Sequence, residues 1–194
     1  MHEILVQRLN SLALLSPSQQ KDLLQVLKYE ILPKEVYLLK EREVSNQIYF
    51  VLEGVIRSFK KVDEIEVTQW FSFPNHFAVP YFSFAYRQPS DISMVTLCDS
   101  QLVSLSYEGL QYLLDKDSIW IDINRRLLEE YYTSLQNRVT SFQVQSAKER
   151  YESILREHPD IEEKVNLGHL ASYLGISQET LSRLRAKKKR SNKI

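Results

Sequence analysis

The spacing of hydrophobic residues changes twice along the chain. Up to about Leu27, apolar residues recur at helical intervals, and Ser16 and Pro17 supply the N-cap and first position of a second helix. From Lys28 to about Ser106, short runs of β-branched and aromatic residues alternate with turn signals. After Ser106 the helical spacing returns. The pattern therefore predicts an antiparallel barrel or sandwich with helices before and after it.

The middle part contains seven predicted strands, with a hairpin turn at Glu53-Gly54. The strands cover residues 29–32, 35–39, 47–52, 55–59, 66–71, 92–97 and 101–105. Helices are predicted over residues 107–114, 117–142 and 146–157, and a helical pair follows at 167–186.

The longest predicted helix carries an apolar stripe. Its members recur at seven-residue intervals, widened by two neighbours, and they are Ile121, Leu128, Tyr132, Leu135, Val139 and Phe142. A seven-residue spacing keeps one seam turned toward a partner helix, which favours a homodimer joined along this stripe. In the alternative interpretation, the stripe packs on the chain's own barrel.

The segment 167–186 has the spacing of a helix-turn-helix. Ala171 is small enough for two helices to cross closely, and Gly175 stands where a left-handed turn residue is needed. Ser177 is a good N-cap for the second helix, whose inner face is Leu181 and Leu184. We expect this helix to lie in the major groove of DNA. A helical hairpin that touches no DNA is the competing interpretation.

The outward residues of the second helix suit base and phosphate contacts. Arginine can pair with guanine, glutamine with adenine, and glutamate can accept from cytosine. The predicted DNA-contacting residues are Ser177, Gln178, Glu179, Thr180, Ser182, Arg183, Arg185, Lys187 and Lys188. By themselves, these residues could equally form a solvated polar face.

Charge is distributed unevenly, although 25 basic and 25 acidic residues give a net charge of zero. From Arg183 to Ile194 there are seven basic residues and no acidic one, which leaves 18 basic and 25 acidic residues elsewhere. One basic end on an acidic body suits phosphate binding. A basic end can also be merely a solvated tail.

Composition restricts the remaining classes of protein. Cys98 is the single cysteine, so an internal disulfide and a cysteine zinc site are excluded, and we expect a core thiol there. No signal peptide and no run of about 20 apolar residues is present. We therefore expect a cytoplasmic protein with no membrane partner.

Over nearly its whole length, the sequence resembles the Crp–Fnr family of bacterial transcription regulators. Residues 36–44 (VYLLKEREV) and 47–57 (QIYFVLEGVIR) are similar to the first strands of a cyclic-nucleotide-binding fold, and 175–183 (GISQETLSR) to the family's recognition segment. The sequence from residues 147–151 through residues 182–185 looks most like that of the Bacteroidetes branch of the family. In the family, base and phosphate contacts fall on the positions of Gln178, Glu179 and Arg183.

The resemblance implies an α+β fold. It has an N-terminal antiparallel β-roll (cyclic-nucleotide-binding-like, a double-stranded β-helix), a long dimerisation helix and a C-terminal all-α helix-turn-helix domain. The implied divisions are residues 1–115 for the β-roll with its helical lead, 116–145 for the dimerisation helix, and 146–194 for the DNA-binding domain.

Two departures from the family pattern change what we expect. Cyclic-nucleotide binders carry a Gly-Glu pair and an arginine for the phosphate, but residues 75–90 contain no such pair and only Arg87 as a candidate cation. An anion buried without a cation is costly, so we expect neither cyclic AMP nor cyclic GMP to bind. The family's β-wing is also missing, so phosphate contacts would come from a flexible basic tail.

Aromatic residues replace the altered cassette. They take eight of the seventeen positions from 70 to 86: Trp70, Phe71, Phe73, Phe77, Tyr81, Phe82, Phe84 and Tyr86. Either they fill the pocket as core or they line a site for an apolar or aromatic ligand. The candidate effector-pocket residues are Trp70, Phe77, Tyr81, Phe82, Arg87 and Tyr132. The effector itself is not identified, and no cofactor is predicted.

A metal-dependent enzyme is the first rival to DNA binding. The four histidines, His2, His76, His158 and His169, form no His-X-His pair, and no nucleophile elbow or phosphate-binding loop occurs. We therefore predict no catalytic residue and no metal site.

The sequence thus predicts a dimeric, sequence-specific transcription regulator. Its partners would be double-stranded DNA with a roughly palindromic operator and a second copy of itself, with RNA polymerase as a further candidate. A protein-binding sensor built on a β-roll is the alternative.

Overall fold

Two four-stranded antiparallel sheets occupy the middle of the chain. The computed structural model describes residues 2–191, with side chains described as far as residue 188. The first sheet has the strand order β1-β8-β3-β6 and the second the order β2-β7-β4-β5. The strands are β1 (Leu27–Leu32), β2 (Tyr37–Leu39), β3 (Gln47–Glu53), β4 (Ile56–Val62), β5 (Ile65–Ser72), β6 (Phe77–Ala78), β7 (Ser93–Thr96) and β8 (Ser100–Ser106).

Helices lie before, within and after the sheets. They are α1 (Glu3–Asn10), α2 (Pro17–Val26), α3 (Tyr81–Tyr86), α4 (Tyr107–Lys116), α5 (Ser118–Val144), α6 (Ala147–Glu157), α7 (Ile161–Lys164), α8 (Leu167–Leu174) and α9 (Gln178–Ser191). Ser16 forms a capping box with Gln19 at the start of α2, as its position before Pro17 predicts. The β-roll flanked by helices is the predicted architecture.

The two sheets enclose an apolar core. Val51 and Leu102 of the first sheet pack with Ile56 and Met94 of the second, and all four are at most 1% exposed. Strand β4 is buried on both faces from Ile56 to Phe59, because one face meets the other sheet and the other is covered. Residues 56–59 are thus a continuous run of buried positions, at which apolar residues are favoured.

Arg57 breaks that run with a buried charge. Its side chain is 2% exposed, its Nε donates to Thr68 Oγ1 at 2.9 Å, and it forms an ion pair with Glu66. The guanidinium also lies 4.3 Å from the Phe59 ring centroid. A buried arginine needs such partners because an unpaired charge in the interior is costly.

Helices α1, α2, α4 and α5 cover the outer face of the first sheet. Leu9 and Leu23 pack with Phe50 of β3, Leu113 of α4 and Trp120 of α5 in one buried cluster. This packing places the first turns of α5 on the roll and leaves the rest of that long helix largely exposed.

The C-terminal helices share a core with strand β5. Phe71 of β5 packs in one cluster with Leu170 of α8 and Leu181 of α9, and its ring lies 5.0 Å from that of Tyr173. The Thr68 backbone N–H donates to Ser172 Oγ at 2.9 Å. The helix-turn-helix segment is therefore docked on the roll through both apolar and polar contacts.

Several features differ from the sequence prediction. The predicted hairpin turn at Glu53-Gly54 is wrong, because β3 and β4 belong to different sheets and the turn carries the chain from one sheet to the other. The short elements β6, α3 and α7 were not predicted, since each has too few residues to show a period. The basic end, expected to be a flexible tail, is helical as far as Ser191. Its Ala186 and the lysines that follow are good helix formers, so α9 simply continues. Lys193 lies outside the described residues.

In the described part of the chain, no helix combines the length and the hydropathy needed to cross a membrane.

Two half-buried histidines at the docked interface predict a pH-dependent stability. His158 stacks on Phe73 with ring centroids 3.5 Å apart, and burial and neighbouring His76 lower the pKa of His158 to about 4. Burial and Arg57 lower the pKa of His169 to about 4 as well. The unfolded chain, in which histidine titrates near its ordinary 6.5, therefore binds more protons than the folded chain between these values.

The free energy of unfolding should consequently be constant above about pH 7 and fall as the pH drops from about 6.5 toward 4. Urea unfolding between pH 7.5 and 5, above the range of most carboxylates, measures this slope. His158→Phe should remove part of it, because one of the three histidines with a lowered pKa (His76, His158 and His169) no longer titrates. A slope unchanged in His158→Phe would contradict the assignment.

Candidate nucleic-acid interface

Helix α8 presents its apolar side to the rest of the chain. Leu170, Ala171 and Leu174 are each at most 2% exposed. Asn166 caps the helix, because its Oδ1 accepts from the His169 backbone N–H at 2.7 Å. Burial of this side fixes α8 as the supporting helix of the pair.

The turn between α8 and α9 depends on Gly175. Its φ of +67° is left-handed, and its N–H donates to Ser172 O at 3.1 Å. A Cβ at this position would lie 2.8 Å from Phe142 Cε1, so both the backbone conformation and the space require glycine. Ser177 Oγ then accepts from the Thr180 N–H at 3.2 Å and caps α9. Both residues have the roles that the sequence predicts for them.

Helix α9 turns its polar residues outward. Ser177, Gln178, Glu179, Ser182 and Arg183 are exposed, and Thr180 is half-buried. Backbone and Ser177 hydrogen bonds at the helix start lower the pKa of Glu179, so it is ionised at neutral pH. The residues predicted to read bases therefore form one accessible surface, which we call the reading face.

The basic residues beyond the reading face differ in their surroundings. Arg185 forms an ion pair with Glu162 at 2.7 Å, and Glu162 also accepts from the Tyr151 hydroxyl at 2.6 Å. Arg185 thereby fastens α9 to α6 and α7, a structural role that sequence reasoning missed. Lys187 and Lys188 are exposed, and Lys188 Nζ lies 5.9 Å from the Tyr151 ring centroid.

The apolar stripe of α5 is partly on the surface. Ile121, Tyr132 and Val139 are 56%, 68% and 58% exposed, whereas Leu128 and Leu135 are half-buried. Phe142, at the end of the stripe, remains 42% exposed while contacting the helix-turn-helix. The Arg138 and Arg150 guanidinium carbons lie 5.1 and 4.7 Å from its ring centroid. The chain's own barrel therefore covers only part of the stripe.

A cavity of about 340 Å³ lies between the roll and the helices. Of the candidate effector-pocket residues, Trp70, Phe77 and Tyr81 line it. The other three lie elsewhere. Phe82 is 62% exposed and pairs with the Tyr86 ring, and Tyr132 is on the exposed stripe, where its neighbour Tyr131 turns to the cavity instead.

Arg87, the third residue outside the cavity, is occupied by local contacts. It donates to the backbone oxygens of Ser45 and Phe84 and to the Asn46 side chain, and it lies 4.3 Å from the Tyr107 ring centroid. The arginine closest in sequence to the family's phosphate position therefore holds the end of α3.

The aromatic stretch both fills core and lines the cavity. Phe71, Phe73 and Phe84 are at most 4% exposed and belong to the interior. Sequence reasoning missed the helical side of the cavity, which includes Leu9 and Trp120. Only the tertiary packing brings these helices onto the roll, so no local pattern could have identified them.

Within residues 2–191, no group of three or more histidine, cysteine, aspartate or glutamate residues could hold a metal ion.

Solved structures share this architecture at low sequence identity. FixK2 from Bradyrhizobium japonicum gives a TM-score of 0.69 at 18% identity, over 86% of this chain and 86% of that chain. A protein assigned to the Crp/Fnr family from Eubacterium rectale gives 0.70 at 16% identity, over 91% and 85%. The c-di-GMP-responsive global regulator CLP from Xanthomonas campestris gives 0.64 at 17% identity, over 91% and 93%. No protein-family model and no curated protein matches the chain.

The chain thus has the fold of Crp/Fnr regulators. Both the fold class and the resemblance in fold that the sequence indicated are confirmed. At these identities the comparisons speak to the fold alone.

Proposed function

We propose that this chain is a sequence-specific DNA-binding transcription regulator. The observation that carries the proposal is the reading face, where Gln178, Glu179 and Arg183 are exposed on one capped helix. The first turns of such a helix contact base edges when it enters the major groove. Lys187 and Lys188 on the same helix suit contacts with phosphates. A regulator of this kind works beside the chromosome, so we extend the proposal to a cytoplasmic location.

We further propose that the regulator is a homodimer joined along α5. Ile121, Tyr132 and Val139 expose apolar surface on one side of a helix of 27 residues. The seven-residue recurrence of the stripe suits a second copy of the same helix better than an unrelated surface. Two copies related by a twofold axis would bind a roughly palindromic operator.

The third part of the proposal is that neither cyclic AMP nor cyclic GMP is the effector. Their phosphate needs a cationic partner in a buried site. Arg87 is held by Ser45, Asn46 and Phe84, and Arg57 is paired with Glu66. Both guanidinium groups already make contacts within the protein, although Arg57 Nη2 is buried without a hydrogen-bond partner among the described residues.

A protein-binding sensor is the second candidate function. The exposed Phe82 and Tyr86 rings on α3 are the observation that favours it, because exposed aromatic pairs are typical of protein interfaces. A folded dimer that binds no genomic DNA fragment at low salt would favour the sensor.

Replacing Arg183 should remove sequence preference. A bidentate arginine contact with guanine discriminates by about 1–3 kcal/mol, so Arg183→Ala should lower the preference for the best site by roughly 5- to 150-fold. Selection of bound genomic fragments defines that site, and fluorescence anisotropy then measures the affinities. Retention of the full preference would disprove the role of Arg183.

Two controls accompany this test. Arg156→Ala removes an exposed arginine of α6, away from the reading face, and should leave the preferred sequence unchanged. Lys188→Ala should instead weaken binding to all sequences and reduce the salt dependence by about one phosphate contact.

A charge in the exposed stripe should dissociate the dimer. Val139→Glu places a carboxylate within the proposed seam and should yield monomers in sedimentation analysis at micromolar concentration. Asn137→Glu adds the same charge on the opposite side of α5 and should remain dimeric. A dimeric Val139→Glu protein would place the interface elsewhere.

Calorimetric titration tests the exclusion of cyclic nucleotides. Cyclic AMP and cyclic GMP should give no binding isotherm up to about 1 mM, which corresponds to binding weaker than about 4 kcal/mol. Micromolar binding of either nucleotide would overturn this part of the proposal.

A further inference from the structure

The second half of α5 leaves the roll and runs past the C-terminal helices. Trp120 and Ile123 hold the start of α5 on the roll, where they are at most 4% exposed. In contrast, every residue from 129 to 144 is half-buried or exposed. Helix α8 is docked on the roll separately, through β5. A direct contact between the second half of α5 and α8 therefore determines the angle between the long helix and the helical pair.

Arg138 makes such a contact. Its Nη2 donates to Tyr173 O at 3.0 Å, and its guanidinium carbon lies 3.8 Å from the centroid of the Tyr173 ring. A hydrogen bond to the backbone and a contact with the ring of the same residue fix both the position and the orientation of the guanidinium group. A lysine has no planar group with which to do this. The guanidinium carbon is also 5.8 Å from the Trp70 ring centroid, so Arg138 links α5 to both β5 and α8.

The contact of Arg138 continues into the turn before α9. Its guanidinium carbon is 5.1 Å from the ring centroid of Phe142, which lies one turn further along α5. The Phe142 ring covers Gly175 so closely that a Cβ there would lie 2.8 Å from its Cε1. Gly175 ends α8, and α9 begins three residues later. A displacement of Arg138 would therefore change the position of the turn from which α9 starts.

The angle between α5 and α9 has a consequence for DNA. In a dimer joined along α5, the twofold axis lies beside this helix, and each copy of α9 enters its own half-site. The distance and the rotation between the two copies of α9 then decide which spacing of half-sites fits. One additional base pair moves the second half-site by about 3.4 Å and turns it by about 35°. A rigid link between α5 and α9 tolerates neither change.

We propose that Arg138 is a positioning residue that determines which half-site spacing the dimer accepts, while the reading face selects the sequence of each half-site. This inference rests on the dimer and the DNA binding proposed above. Arg138 is half-buried beside Tyr173, so it acts on α9 through Tyr173 and Phe142 rather than through contact with DNA. Spacing and sequence are therefore separate properties that different residues control.

Operators that differ only in spacing test this role. Two copies of the best selected half-site are placed at the preferred spacing and at spacings one base pair shorter and longer. For the unaltered chain, either change should weaken binding by at least about tenfold, because the DNA or the protein must deform. Arg138→Met keeps an unbranched side chain beside Tyr173 but no donor. It should reduce this spacing penalty by at least about threefold and leave the ranking of half-site sequences unchanged.

Arg126→Met is the matched control. Arg126 is exposed nearer the start of α5, on the side away from the apolar stripe, so its replacement removes the same charge from the same helix. The spacing penalty of this variant should equal that of the unaltered chain. A loss of stability alone would weaken binding equally at every spacing. Such an equal loss in Arg138→Met, or a spacing penalty that does not change, overturns the proposal.

A distance measurement without DNA separates this inference from the DNA-binding proposal. Cys98→Ser removes the single native cysteine, and Ser182→Cys then carries one spin label on each copy of α9 in the dimer. The distribution of distances between the two labels should be broader after Arg138→Met but not after Arg126→Met. An equally narrow distribution in Arg138→Met overturns the inference even if the chain binds DNA. A broader distribution in a chain that binds no DNA would instead refute only the proposed function.

A second variant covers the case in which Arg138→Met does not fold. Arg138→Lys keeps the charge and a donor but has no planar group to lie over the Tyr173 ring. It should broaden the distance distribution and lower the spacing penalty in the same direction, by less than the loss of both contacts would. A folded Arg138→Lys protein with the spacing penalty and the distance distribution of the unaltered chain would contradict the role of the guanidinium group.

Discussion

Burial of one apolar cluster, shared by strand β5 and the C-terminal helices, determines where the reading face lies. Phe71 contributes from the roll, Leu170 from α8 and Leu181 from α9, and all three are at most 3% exposed. Burying a side chain of this size stabilises by about 1.5–3 kcal/mol, so separating α8 from β5 would be costly. The orientation of α9 is consequently a property of the whole fold and not of the helical pair alone.

The long helix is attached to the same unit by polar contacts. Arg138 donates to Tyr173 O at 3.0 Å, and Arg150 Nη2 donates to Leu174 O at 2.9 Å, so two guanidinium groups satisfy carbonyls at the C-terminus of α8. Cations at this end also interact favourably with the helix dipole. Phe142 fills the space over Gly175, where any side chain would collide with it. Changes in α5 would therefore reach the turn that positions α9 without passing through the roll.

Local chemistry explains which features the sequence could predict. The helix-turn-helix register was predictable because Gly175 and Ser177 act through their own backbone and the next turn. The strands of the roll were predictable because their period differs from that of the flanking helices. The cavity was predictable only from one side, since Trp70 and Phe77 stand in the aromatic stretch whereas Trp120 reaches it through packing. The sequence predicted that Arg185 contacts phosphate. Its observed partner, Glu162, lies in another helix, so no local pattern could have shown the ion pair.

The arginines around the roll indicate what kind of ligand it can accept. Arg57 pairs with Glu66, Arg8 pairs with Glu130, and Arg87 holds the backbone at the end of α3. A phosphate entering the roll would have to take one of these groups from its present partner and leave that partner buried or unpaired. The loss of that pairing makes the free energy of phosphate binding less favourable. A neutral molecule meets no such competition.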